Sequence, residues 1–238
     1  MSVFRFKQFS VHQDAAAMKV GTDATLLGAW ADIENAVNIL DVGSGTGVLS
    51  LMLAQRNENA KITALELEAA AFLQSKYNFD NSPWSNRLRV LHKAVQVFET
   101  AHKFDLIISN PPFYDHTKHL KAAEAQRRLA RSTDTLTYEA LCASVSRLLS
   151  TEGSFQLILP TVAEDDFVKT AAANHLNLYK KTLVFPKVTK NANRLLMSFS
   201  KVEKPYSESS LTIRNAGNDY HDYSPEFIEL HRDFLIIF

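Results

Sequence analysis

Ile39-Leu40-Asp41-Val42-Gly43-Ser44-Gly45-Thr46-Gly47 runs from a short apolar stretch into a turn with glycine at every second position. A strand buried on both faces of a parallel sheet reads as such an apolar run, without polar alternation. Gly43 and Gly45 let the backbone turn sharply and come close to a ligand, and a helix starting near Gly47 points its free N–H groups into the same space. The unit is thus strand, tight turn, helix, the usual entrance to a nucleoside cofactor site. A dinucleotide fingerprint beginning at Gly43 would need glycine at 48, where the chain has Val48. Nicotinamide and flavin readings therefore lose their main support, while the turn suits the carboxylate of a methionine moiety as well as a phosphate.

Outward from this turn, short runs rich in Val, Ile and Leu alternate with longer segments of helical period. Strands are expected near 37–42, 61–66, 87–91, 104–109, 154–159, 178–185 and 194–202, and helices near 47–56, 68–80, 137–150 and 162–175. The last two strands are separated by a polar stretch with Pro186 and Asn191, which suits an antiparallel hairpin at a sheet edge. The expectation is an α/β fold: seven strands in a mostly parallel sheet with one antiparallel edge strand, and helices on both faces. Residues 1–36 form an N-terminal flap and a helix whose apolar stripe (23–30) packs on the sheet, 37–202 the core, and 203–238 a polar extension of one domain. No repeat or linker divides the chain.

Lys+Arg and Asp+Glu number 26 each, so only local clustering could hold a nucleic acid. The single cysteine, Cys142, excludes an internal disulfide framework and reads as a small buried hydrophobe in a reducing compartment. The N-terminus lacks an export signal and no apolar stretch approaches a membrane span, so a soluble cytoplasmic protein, with a monomer favoured, is expected. His175 and His221 have no partner spacing that suggests a metal, Trp30 and Trp84 read as packing anchors, and Ser44 lacks a nucleophile-elbow context.

Glu66 ends the strand after the glycine turn, where an acidic side chain can accept hydrogen bonds from both ribose hydroxyls of a nucleoside and would repel a 2′-phosphate. Asn110-Pro111-Pro112-Phe113 follows the apolar run 104–109, where a buried strand opens into a loop. An exocyclic adenine amine is a poor nucleophile because its lone pair is delocalised into the ring. The Asn110 side-chain oxygen and the Pro111 carbonyl could each accept one N–H bond and hold that lone pair toward a methyl donor. Pro111 and Pro112 restrict the backbone, and Phe113 can stack on the base. Glycine turn and clamp together read as methyl transfer to a nitrogen.

On these motifs the chain resembles the S-adenosylmethionine-dependent amino methyltransferases, whose Rossmann-like seven-strand sheet carries Asn/Asp-Pro-Pro-Phe/Tyr. Lys19-Val-Gly-Thr-Asp23-Ala-Thr-Leu-Leu-Gly-Ala-Trp30 and Leu129-Ala-Arg-Ser132 narrow the resemblance to the bacterial adenine-N6 methyltransferases of tRNA, over roughly residues 4–202. The implied cofactor is S-adenosylmethionine and the implied partner tRNA, modified beside the anticodon of a valine tRNA. The resemblance implies cofactor contacts at Asp41, Gly43, Ser44, Gly45, Gly47 and Glu66, and a flap at Thr22 and Asp23 closing on the methionine end. It makes Asn110–Phe113 the clamp on the target base. Relatives place an acidic residue against the cofactor adenine after the third strand; His92-Lys93-Ala94-Val95-Gln96 offers none, and Gln96 is the candidate substitute.

RNA would be held by local charge. Lys118, Lys121, Arg127, Arg128 and Arg131 fall within fourteen residues after the clamp, opposed only by Glu124. Lys180, Lys181, Lys187, Lys190 and Arg194 form a second stretch with no acid between them, from which Lys187, Lys190 and Arg194 are the candidate RNA contacts. The competing readings are a protein-glutamine N5 methyltransferase, a guanine-N2 rRNA methyltransferase and, outside enzymes, a silent RNA-binding module. Phe113 in place of tyrosine and the basic run weigh against the first; the intact Asn110 and glycine turn weigh against the last.

Overall fold

The computed structural model describes residues 2–14, 19–111, 136–217, 219 and 221–238. A short antiparallel hairpin, β1 (Val3–Arg5) with β2 (Ser10–His12), precedes an eight-stranded sheet. Its strands are β3 (Asn38–Val42), β4 (Lys61–Glu66), β5 (Leu88–His92), β6 (Phe104–Ser109), β7 (Leu149–Pro160), β8 (Asn177–Phe185), β9 (Arg194–Ser200) and β10 (Ser207–Thr212), in the order β10-β8-β9-β7-β6-β3-β4-β5. Every described neighbour pair is parallel except β9, which runs against both β7 and β8.

Among the described residues the helices are α1 (Thr22–Trp30), α2 (Val48–Arg56), α3 (Ala69–Asp80), α4 (Tyr138–Leu148), α5 (Glu164–Ala173) and α6 (Pro225–His231). Successive strand residues face opposite sides, so the sheet builds two cores. Ile39, Leu106 and Ile108 join Leu26, Leu51 and Met52 on one face, whereas Leu40 and Ile107 join Leu141, Val145 and Phe167 on the other. Fully buried leucines such as Leu26 and Leu51 each contribute roughly 1.5–3 kcal/mol. Helix starts are capped locally: Glu68, Thr137 and Ser224 each accept a backbone N–H of their own first turn, and Pro225 occupies the first position of α6.

The α/β class and all seven expected strands are present, six of them within two residues of the limits read from sequence, while β7 starts at Leu149, five residues before the expected 154. The sheet differs in one respect. The reversed strand β9 is interior, between β7 and β8, and the edge is formed by β10 from the C-terminal extension, paired in parallel with β8 from Ser207↔Lys180 to Thr212↔Phe185. The stripe expected on α1 is instead burial all round: Ala24 to Ala29 are all buried, because α1 packs against α2 and α6 as well as the sheet. The two ends of the chain also meet, through the Phe6↔Leu235 bridge and the Lys7 N–H donated to the Phe234 carbonyl at 2.9 Å.

Candidate functional site

Parallel pairing gathers the C-terminal ends of the strands along one edge of the sheet, where ligand sites of open α/β folds lie. Val42 is in register with Leu65 on one side and Ser109 on the other, and Glu66 with His92. The residues that follow, Gly43, Glu66 and Asn110, are therefore neighbours on that edge. The Ser109 hydroxyl donates to the Val42 carbonyl at 2.8 Å, fixing the strand end that carries Asn110 against the start of the glycine turn.

The turn itself is built on positive φ: Gly43 at 77°, Gly45 at 56° and Gly47 at 81°, values L side chains rarely adopt. The glycines have different second reasons. A β-carbon on Gly43 or Gly45 would meet no protein atom within 4 Å, whereas one on Gly47 would lie 2.6 Å from the Phe79 ring and 2.8 Å from Ser75 Oγ. Gly47 is a packing glycine, and the other two border open space. The Gly43 and Ser44 amides donate to the Leu65 carbonyl at 2.9 and 3.1 Å, which ties the turn to β4.

Glu66 straps the turn. Its Oε2 accepts the Gly45 N–H at 2.7 Å, and its Oε1 accepts those of Leu67 and Glu68 at 2.8 and 2.9 Å. A carboxylate has about four acceptor positions. Three are spent on backbone, so one ribose hydroxyl fits without disturbance and a second requires an amide to release.

Asp41 is wholly buried, and burial, reinforced by nearby Glu66 and opposed by the Ser50 hydrogen bond, pushes its carboxyl up to about 7. Its Oδ2 accepts the Ser50 hydroxyl at 2.7 Å, while Oδ1 is buried with no hydrogen-bond partner among the described residues. An orphaned carboxylate oxygen below a turn whose glycines border open space fits a polar, cationic ligand.

Asn78 carries a role that sequence reading missed. Its amide nitrogen donates to the carbonyls of His12 and Thr46 at 2.9 and 2.8 Å and its oxygen accepts the His12 N–H at 2.9 Å, joining the N-terminal hairpin to the glycine turn. The available signal was three polar residues, Gln74, Ser75 and Asn78, clustered within one turn of α3, all of them buried.

Other expected site residues fall as follows. Thr22 is exposed at the start of α1, and Asp23 is not open to solvent on its own: its Oδ2 is 2.8 Å from Arg194 Nε. Gln96 is half-buried in a short 3-10 turn after β5, its carbonyl taking a long bond from Arg147 at 3.4 Å. Lys187 and Lys190 sit in the β8–β9 turn, where the Lys190 N–H donates to the Lys187 carbonyl at 2.9 Å. Of the second basic stretch, Lys181 pairs with Glu164 and Glu208 and Lys180 lies over the Trp30 ring at 4.4 Å. In that stretch Lys181 and Arg194 form ion pairs, whereas Lys180, Lys187 and Lys190 form none with described residues. Pro111 is buried and Asn110 partly exposed; Pro112, Phe113, Lys118, Lys121, Arg127, Arg128 and Arg131 lie outside the described residues.

Comparison with known proteins places this geometry. The methyltransferase small domain model matches residues 16–160, more than half the chain. A tRNA1(Val) (adenine(37)-N6)-methyltransferase of Dyadobacter fermentans is 42% identical over 99% of this chain and 98% of its own. Proteins of the same name from Flavobacterium psychrophilum and Aliivibrio salmonicida are 42% and 39% identical, each over 98% of this chain and 99% and 97% of theirs. Among solved structures, a predicted O-methyltransferase from Agrobacterium tumefaciens superposes with a TM-score of 0.71 at 20% identity, covering 89% of this chain and 96% of that one. The glycopeptide N-methyltransferase MtfA in complex with S-adenosyl-L-methionine does so at 0.55 and 14%, over 78% and 90%. These two structures share the fold.

Proposed function

Because this chain belongs to the family of tRNA1(Val) (adenine(37)-N6)-methyltransferases, carried on a methyltransferase small domain, we propose that it methylates N6 of adenosine 37 in a valine tRNA, in the cytoplasm, with S-adenosylmethionine as donor. The observation that carries the reading is the seating of Asn110 beside the glycine turn, fixed by the Ser109–Val42 hydrogen bond at 2.8 Å. That contact sets a base-holding amide next to open space bordered by Gly43 and Gly45.

When bound, S-adenosylmethionine supplies a methyl group on a sulfonium, which leaves as a neutral thioether. The residues that hold it are Gly43, Ser44 and Gly45 along the turn, Glu66 at the ribose, Gln96 at the adenine, and Thr22 and Asp23 at the methionine end, with Asp41 beneath and Gly47 keeping the turn packed on α3. Asn110 Oδ1 and the Pro111 carbonyl each accept one N–H of the target amine. Accepting both draws the nitrogen toward a tetrahedral shape and frees its lone pair to form the N–CH3 bond as the S–CH3 bond breaks. The amine is then cationic and its extra proton passes to water, so no side chain needs to act as a strong base. Pro112 and Phe113 complete the clamp, and the basic residues from Lys118 to Arg131 with Lys187 and Lys190 grip phosphates.

The test is mass spectrometry of nucleosides from the valine tRNA of a strain lacking the protein, with purified enzyme assayed in parallel on that tRNA and on a release-factor peptide. N6-methyladenosine is expected to disappear from the deletion strain and to reappear on adding enzyme and cofactor. Methylation of the peptide with tRNA untouched would replace this reading by the glutamine one.

A further inference from the structure

The elbow between β4 and α3 has no anchor in the core: none of residues 66–70 is buried, and Leu67 is 43% exposed. Apolar packing therefore does not fix it, and hydrogen bonds must set its shape. Yet this elbow carries Glu66, whose carboxylate ties down the glycine turn through the Gly45 N–H at 2.7 Å.

The end of β5 supplies those bonds, with His92 in register with Glu66. The Lys93 N–H donates to the Glu66 carbonyl at 3.0 Å, and His92 Nε2 lies 2.9 Å from the Leu67 carbonyl, placed as its donor. The His92 ring is stacked on Phe72 of α3, with centroids 5.2 Å apart and planes 19° from parallel. One imidazole thus grips both the elbow and the helix that follows it.

Peptide planarity turns these contacts into a hold on Glu66, because a carbonyl and the next residue's N–H share one rigid plane. The Glu66 carbonyl, held by Lys93, shares its plane with the Leu67 N–H, which donates to Glu66 Oε1 at 2.8 Å. The Leu67 carbonyl, held by His92, shares its plane with the Glu68 N–H, which donates to the same oxygen at 2.9 Å. Fixing each carbonyl aims the matching N–H, and a bond accepted at the carbonyl polarises the peptide so that its N–H donates more strongly. Lys93 contributes only backbone, which any residue would offer; His92 contributes its side chain. The stretch from His92 to Gln96 holds no acid of its own, and the end of β5 acts on the cofactor edge through Glu66.

Resting on the reading of this edge as the S-adenosylmethionine site, we propose that His92 is a positioning residue for the cofactor ribose. Its Nε2–H fixes the Leu67–Glu68 peptide, that peptide fixes the Glu66 carboxylate, and Glu66 presents its remaining acceptor position to a ribose hydroxyl. His92 thereby governs selectivity for ligands that carry ribose hydroxyls.

The test is calorimetric binding of S-adenosylhomocysteine and of its 2′,3′-dideoxy analogue to the full chain. His92→Phe keeps a ring to stack on Phe72 and removes the donor. It is expected to weaken S-adenosylhomocysteine about five- to tenfold, the worth of one hydrogen bond, and to leave the dideoxy analogue at its wild-type affinity. His92→Gln, which restores an N–H donor, is expected to recover most of the loss. Unchanged S-adenosylhomocysteine affinity in His92→Phe overturns the role, and so does an equal loss for both ligands, which would make His92 a prop of the fold alone. A wild type that binds neither ligand overturns the cofactor reading itself. Should His92→Phe fold poorly, nitrogen-15 NMR of the wild-type imidazoles decides. The neutral His92 ring is expected as the Nε2–H tautomer; the Nδ1–H tautomer, with no proton to give the Leu67 carbonyl, overturns the proposal.

Discussion

Asp23 and Arg194, 171 positions apart, form an ion pair with Arg194 Nε 2.8 Å from Asp23 Oδ2. Asp23 is the second residue of α1 and Arg194 the first of β9, opposite Pro160 at the end of β7. The pair therefore pins the start of α1 to the edge where the cofactor is proposed to bind. Two residues that sequence reading assigned to different ligands act on each other. Both side chains are mostly shielded, so the pair is worth more than an open surface bridge. In a double-mutant cycle on S-adenosylmethionine affinity, Asp23→Asn and Arg194→Gln are expected to couple by about 0.5–1.5 kcal/mol. Additive effects would mean that Arg194 serves RNA alone.

The glycine turn makes a contrasting pair of predictions. Gly45→Asn keeps a residue type that tolerates positive φ but puts a side chain into the open space at Gly45. Cofactor binding by calorimetry should be lost, with the thermal midpoint within a few degrees of the wild type. Gly47→Ala should do the reverse, lowering the midpoint because its methyl meets Phe79 and Ser75. Undiminished cofactor affinity in Gly45→Asn would remove the cofactor from this turn.

Asn110→Ala tests the clamp. Losing one positioned acceptor is expected to slow turnover on tRNA about a hundredfold or more, while S-adenosylmethionine binds as before. Near-normal turnover would end the proposed role of the amide.

Asp41 predicts a pH dependence whose sign follows from its buried carboxyl, held at about 7 against an ordinary 3.8. Between those values the folded protein keeps a proton that the unfolded chain has lost, so this group costs stability as pH rises, by up to ~1.4 kcal/mol per unit. The cost is absent below the ordinary value and complete above about 7. Asp41→Asn removes it. Urea unfolding should therefore show the variant gaining on the wild type between pH 5 and pH 8, and an equal difference at both pH values would show that Asp41 is ionised throughout.

The legible parts of this fold were those whose local chemistry agrees with their final place. Phe104–Ser109 is an apolar run buried between β3 and β7, and its limits were read correctly from sequence. Ser207–Thr212 was not legible: five of its six residues are polar, Leu211 alone is buried, and only pairing with β8 makes it a strand. At the site, Gly43 and Asn110 follow strands, Glu66 ends one, and all three announce themselves by type. Asn78 does not, because its partners, His12 and Thr46, are 66 and 32 residues away.

The meeting of Phe6 with Leu235 and of Lys7 with Phe234 sets a timetable for biosynthesis. Contacts at such separation form only after intervening chain is in place. A nascent polypeptide emerging from the ribosome can assemble the central sheet early, yet its hairpin stays without its last hydrogen-bonded neighbours until residues 234 and 235 clear the exit tunnel. The hairpin is thereby completed only when residues 234 and 235 fold back onto it, after the chain that builds the central sheet has been made.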